Sequence, residues 1–370
     1  MSVFRLTMHP ASEGDALTLS WGEEDELFHA LIDLGRPADY KAMRSELSST
    51  GRFEFFTISH IDADHIGGAM PLAKEKSAPF QPADVWFNAW HHLKNAAARR
   101  EDADDLETLS AKQGEKLSSA IVAFGWPWNR AFGVSGIASV DTPEARGPLD
   151  IAGGLKVTLL SPGDQELAAL EPVWMNELER ANLRPFDPDG VQEEPDDGLE
   201  SLGTLNVEAL ARKPFVEDTA KPNGSSIAFL AEFGGRRVLL GADAHPGVIE
   251  RSLRKRGYSE TNRLKLDLFK LCHHGSKANT SPSLLKIIDC LDFAISTDGT
   301  KHNHPDRETI ARILVNDPSR RKTIYFNVNQ EHATVWDRKD LRDKYQFVCE
   351  IPPKDTPGVT IDICTRTSRN

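Results

Sequence analysis

Four short apolar runs in this chain stop at a histidine or an aspartate, and this repeated stop constrains the fold more than any other feature. Leu31-Ile32 runs into Asp33, Phe53 to Ser59 into His60, Val238 to Gly241 into Ala242-Asp243, and Leu266 to Cys272 into His273-His274. Runs this short, rich in aliphatic and aromatic residues, read as buried strands. Polar residues at several strand ends collect at one edge of a layered core. The pattern predicts an α/β chain built as a four-layer αββα sandwich, two packed sheets with the site at one edge.

The intervening segments fit that plan. Residues 37 to 49 read as a helix, Gly67-Gly68-Ala69 opens another through Lys76, and Ala83 to Asn88 reads as a strand. Residues 91 to 124 have helical character and no proline until Pro127, which makes a mostly helical insert near 90–150. Leu155 to Leu160 is a strand, and a helix covers 164 to 182. The stretch from about 185 to 222 holds Asp187, Asp189, Glu193, Glu194, Asp196 and Asp197, and reads as a solvated acidic loop. Ser225 to Glu232 and Arg237 to Gly241 form a hairpin around Gly234-Gly235. Phe293 to Thr297, Thr323 to Asn327 and Ala333 to Trp336 read as strands, and 305 to 316 as a helix. One domain is expected over 1–345, followed by a C-terminal extension, 346–370.

The segment His60-Ile61-Asp62-Ala63-Asp64-His65 places four potential metal ligands in six residues. On an extended backbone His60 and Asp62 point the same way and can converge on one ion. Asp64 and His65 lie past a bend and can face a second. Imidazole and carboxylate suit zinc, manganese or iron. Asp243, at the end of a buried strand, needs a partner, and a bridging position between two ions supplies one. One of His273 and His274 is expected as a ligand, the other as a hydrogen-bonding group toward a ligand or substrate. We take His273 as the ligand and His274, with Asp64 and His304, as catalytic. Asp33 is expected to orient a ligand histidine. His91 and His92 are either packing residues or extra ligands. Trp86, Trp90, Trp126 and Trp128 read as a local core, with a base-stacking wall as the alternative.

These elements resemble the metallo-β-lactamase superfamily, and within it the soluble β-lactamase-like domain of competence-type DNA-uptake proteins. Glu13-Gly14-Asp15-Ala16 is similar to that group's Gly-Asp-Ala, Leu31 to Gly35 to its first Asp motif, and His60 to His65 to its HxHxDH motif. Asn223-Gly224-Ser225-Ser226, Gly241-Ala242-Asp243 and His273-His274-Gly275-Ser276 resemble its later motifs, with His304-Pro305 as the later His-Pro. The resemblance implies two metal sites. Site one would hold His60, Asp62 and Asp243; site two would hold Asp64, His65, Asp243 and His273 or His274. Asp62 stands where the motif has its second histidine. The family's third histidine has no clear counterpart, Asn223 being nearest in order.

The resemblance therefore implies a hydrolase with two divalent ions, zinc or manganese, attacking through a metal-bound hydroxide. Its substrate would be a nucleic acid or small phosphodiester, with Ser276, Lys277, Asn279 and Lys301 as contacts. The alternatives are hydrolysis of another ester (phosphocholine-like, nucleotide, acyl or thioester) and a non-catalytic regulatory protein keeping the fold. A net charge of −12 counts against a DNA-coating role without excluding a nuclease pocket, and any polyanion site is expected to be local. No apolar stretch is long enough for a membrane span. Four cysteines without CxxC spacing, and no evident signal peptide, lead us to expect a cytoplasmic protein. The sequence names no protein partner and no oligomeric state.

Overall fold

A computed structural model describes residues 1–97, 111–180 and 205–364. Two mixed sheets dominate. The six-stranded sheet runs, in spatial order, Val359–Asp362, Ser2–Met8, Leu17–Glu23, Glu26–Ile32, Phe55–Thr57 and Val85–Trp86. Its first four strands pair antiparallel and its last three parallel. The eight-stranded sheet runs Phe347–Glu350, Lys322–Phe326, Asp292–Ile295, Leu268–Lys270, Arg236–Leu240, Ala228–Phe233, Leu155–Ser161 and Leu149–Ile151. Here the first five strands are parallel and the last four antiparallel, with Arg236–Leu240 common to both sets.

Alternation along the strands sorts the core into three clusters. Ala30, Ile32 and Phe55 of the smaller sheet share one cluster with Val238, Leu240, Phe229 and Leu268 of the larger. Their neighbours point the other way. Leu31 and Phe56 pack with Tyr40 and Leu47 of helix Pro37–Thr50, and with Leu117 and Trp174 from helices Ala111–Ala123 and Asp164–Arg180. Leu239 and Phe269 pack with Ile249 of helix Pro246–Lys255 and Ile310 of helix Arg307–Val315. The helical part of the insert thus covers an outer sheet face.

Several expectations need correction. Ala333 to Trp336 is not a strand. Glu331–Thr334 is a helical turn whose Gln330 side chain accepts from the His332 amide. Ala333 and Trp336, both buried, are three residues apart, which is helical spacing. The helix expected from Gly67 through Lys76 is only a short turn, Ala69–Leu72, and a separate turn, Ala63–Ile66, precedes it inside the histidine motif. Of the expected extension 346–370, the described part to residue 364 is no appendage, because 347–350 and 359–362 supply an edge strand to each sheet, and 365–370 lie outside the described residues. Of the acidic loop, 185–204 lies outside the described residues. In its described part, 205–222, helix Val207–Ala211 buries Val207 in the core. Among the described residues no helix is long and apolar enough to cross a membrane.

Phe229 is fully buried between the sheets, edge-on to Phe55 at 5.8 Å and to Trp86 at 6.2 Å. Phe229→Ala is expected to cost roughly 3–5 kcal/mol, as large-to-small changes at sealed aromatic positions do. Chemical denaturation measures it.

Candidate metal centre

The ends of the parallel strands deliver the ligand-type residues. Strand Glu26–Ile32 ends at Asp33, which takes a left-handed conformation at φ 58°. Its carboxylate accepts from the Ser59 amide at 2.6 Å, from Ser59 Oγ at 2.7 Å and from His65 Nδ1 at 2.8 Å. Ser59 follows strand Phe55–Thr57, so Asp33 locks the start of the histidine loop, as expected of an orienting residue. Gly14 lets a neighbouring loop press against that loop, because a Cβ there would lie 1.7 Å from the Asp64 carbonyl oxygen. From the larger sheet, strand Arg236–Leu240 leads to Asp243 and strand Leu268–Lys270 to His273 and His274. Ala242, His273 and His274 all have left-handed backbones, an arrangement that costs energy and persists where the surroundings enforce it.

Four imidazoles surround Asp243, each anchored by Nδ1 and presenting Nε2 inward. His65 Nδ1 donates to Asp33, His274 Nδ1 to the Ser296 carbonyl at 2.8 Å and His273 Nδ1 to Asn279 Oδ1 at 3.0 Å. His60 Nδ1 donates to Ser59 Oγ at 3.0 Å, that hydroxyl's own proton going to Asp33. The inward nitrogens divide between the two oxygens of Asp243. His65 Nε2 lies 3.3 Å and His274 Nε2 3.5 Å from Oδ1. His273 Nε2 lies 3.7 Å and His60 Nε2 3.8 Å from Oδ2. Asp64 joins the first pair, 3.2 Å from His274, and Asp62 the second, 3.5 Å from His60. The ligand atoms of Asp64, His65, Asp243 and His274 all lie within 4.8 Å of one another.

The arrangement fits a divalent cation. His60 Nε2 is buried without a hydrogen-bond partner, and so is Asp243 Oδ1, despite its nearness to His65. The Nε2 atoms of His65 and His274 face each other at 3.2 Å and can share one proton at most. Burial opposes charge throughout the cluster, yet the histidines hold Asp64 and Asp243 well below the usual carboxylate range. In return Asp243 raises His65, and raises His274 to about 10 against the lowering effect of burial. A cation among the nitrogens would take over the charge that these protons carry.

His273 and His274 face different oxygens of Asp243. His274 lies with Asp64 and His65. His273 lies on the His60 side. Consecutive left-handed residues make the backbone turn sharply enough to send neighbouring rings to opposite oxygens. Asn223 sits behind His273, its Nδ2 3.3 Å from Nδ1, on the side away from Asp243. His304 lies beside the centre, its ring 5.3 Å from that of His273. Burial and the charges of His273 and His274 hold it well below its usual pKa, hence neutral.

Other candidates lie elsewhere. His91 and His92 pack edge-on against Trp128, and His92 Nδ1 accepts from the Ala89 amide, so neither joins the ligand set. Trp86 and Trp126 are buried in the cores, as the local-core reading expects. Ser276 and Asn279, expected as polyanion contacts, are buried and face inward. Lys277 pairs with Asp306 at 3.5 Å, and Lys301 is exposed.

Two features escaped the sequence reading. Lys270 and Asp15 form a buried ion pair of 2.8 Å behind His274, whose Nδ1 is 3.7 Å from Asp15 Oδ1. A lysine inside the apolar run Leu266 to Cys272 was the available signal. Asp218, which holds Asn223 and Asn279, gave no local signal. No protein-family model matches the chain, and no curated protein matches it.

Lys270→Ala would strand Asp15 as an unpaired buried charge, and a loss of about 3–5 kcal/mol is expected in urea denaturation. Replacing both partners together, Asp15→Leu with Lys270→Met, is expected to recover much of that loss.

Proposed function

We propose that this protein is a divalent-metal-dependent hydrolase of the metallo-β-lactamase fold that cleaves phosphodiesters. One observation carries the reading. The two oxygens of a single buried carboxylate, Asp243, face two separate sets of histidine and aspartate. The mixed nitrogen and oxygen donors suit zinc or manganese. The three core clusters support a four-layer αββα order, with the site at the carboxyl ends of parallel strands from both sheets. The phosphodiester assignment rests on the resemblance of the motifs, in order, to those of the DNA-uptake domains.

Site two would be held by Asp64, His65, Asp243 and His274, and site one by His60, Asp62, Asp243 and His273. When bound, two such ions supply a water that ionises near neutral pH and positive charge for a phosphoryl oxygen. The protein residues do the rest. Asp33, Ser59, Ser296 and Asn279 fix the rings, so little reorganisation is needed when charge develops. Asp62 and His273, at 36% and 25% side-chain exposure, mark the side from which substrate enters. His304, neutral and next to His273, with its Nδ1 3.6 Å from Asp306, would be the group that takes or returns a proton. Asp64, 3.2 Å from His274, would orient the attacking group.

Incubation with bis-(p-nitrophenyl) phosphate, single-stranded DNA, duplex DNA and RNA, under zinc or manganese, tests the reading. At least one substrate should be cut, and Asp243→Asn should slow cutting by more than about a hundredfold, beyond the loss typical of a residue that only orients a ligand. A metal-loaded protein that cuts none of them would move the assignment to another ester. Less than one ion per chain, with Asp64→Ala silent, would leave a non-catalytic protein.

A further inference from the structure

We propose that Asp218 is a positioning residue for the metal centre, holding His273 on the site-one ion through Asn279; this rests on the two-site reading above. His273 needs such a hold more than the other three histidines. Its side chain is 25% exposed, whereas those of His60, His65 and His274 are at most 2% exposed. Packing therefore restrains its ring least, on a backbone already in a left-handed conformation.

Asp218 supplies the restraint. Its Oδ2 accepts from Asn223 Nδ2 at 2.7 Å and from Asn279 Nδ2 at 3.0 Å, and lies 3.5 Å from His273 Nδ1. With its Nδ2 fixed, Asn279 presents Oδ1 to His273 Nδ1 at 3.0 Å, while the same Nδ2 reaches the Asp243 carbonyl at 3.2 Å. One carboxylate thus sets the amide that orients both His273 and the backbone of the bridging residue. Asp218 approaches His273 on its Nδ1 side, while its other oxygen accepts from the Ala220 amide, so Asp218 acts through His273 and is no ligand itself.

Its own segment is anchored along its length. Lys213 pairs with Glu308 at 2.5 Å, Phe215 lies under Arg312 at 5.4 Å, Glu217 accepts from the Gly247 amide at 2.6 Å, and the Asp218 amide donates to Ala278. Asp33 does the equivalent work behind His65. A carboxylate thus backs His65 directly and His273 through an amide.

The test is manganese binding to the full chain after chelator treatment, by equilibrium dialysis and calorimetry, with cobalt absorption as a second readout. Wild type should take up two ions. Asp218→Asn should weaken one of them by roughly 10–100-fold and leave the other. Asp218→Glu should retain more of that affinity. In a His273→Ala background, Asp218→Asn should add no further loss. The thermal midpoint of the stripped protein should stay near wild type. Weakening of both ions together, or of neither, overturns the proposal, as does failure of both Asp218 variants to fold. A wild-type chain that binds fewer than two ions overturns the two-site reading itself, and the inference with it.

Discussion

A carboxylate buried as deeply as Asp243 is costly unless positive charge surrounds it, and the chain is organised around meeting that demand. The requirement draws in four imidazoles, and each imidazole needs a partner for its other nitrogen. Those partners come from both sheets: Asp33 and Ser59 from the smaller, Ser296 and Asn279 from the larger. Further ties cross the same gap, with the Ile227 amide donating to the Ser59 carbonyl and Ser296 Oγ to the Gly14 carbonyl. The centre is therefore a joint as well as a site. Anything that misaligns the sheets also moves the two oxygens relative to the rings they serve.

Much of this was legible in the sequence because strand ends are abrupt. Where an apolar run stops at His60, Asp243 or His273, the core residues and the polar end are read from the same few positions. Asp33 was legible for the same reason. The split of His273 from His274 was not, because it depends on two successive left-handed residues, a conformation nothing in that dipeptide announces. Asp218 was hidden because an aspartate in a polar stretch has no neighbours in sequence to mark it. Its partners are five and sixty-one residues away. Ala333 to Trp336 was misread because four residues are too few to separate a period of two from a helical turn. The last two strands were missed because Pro352, Pro353 and Pro357 crowd the stretch between them, and each strand is only four residues long.

The buried ionic groups form layers behind the histidines around Asp243. Asp33 backs His65, and the Lys270–Asp15 pair backs His274. The lysine offsets one carboxylate where four aspartates, 15, 33, 64 and 243, gather close together. Lys270 is too deep to reach a substrate, and it has a role that needs no contact with one. It limits the net negative charge at the centre, leaving the histidines as the groups that respond to what binds.

The two edge strands near the C-terminus carry a consequence for how the chain reaches this state. Ser2–Met8 pairs on one side with Leu17–Glu23, which is available early, and on the other with Val359–Asp362, more than three hundred residues later. During synthesis the first strand would keep one hydrogen-bonding edge open until nearly all the described chain had been made. Open edges invite pairing with other chains, and contacts this distant in sequence form slowly. The late strand acts as the closing seam of the smaller sheet, and until it arrives the nascent chain has most reason to be shielded.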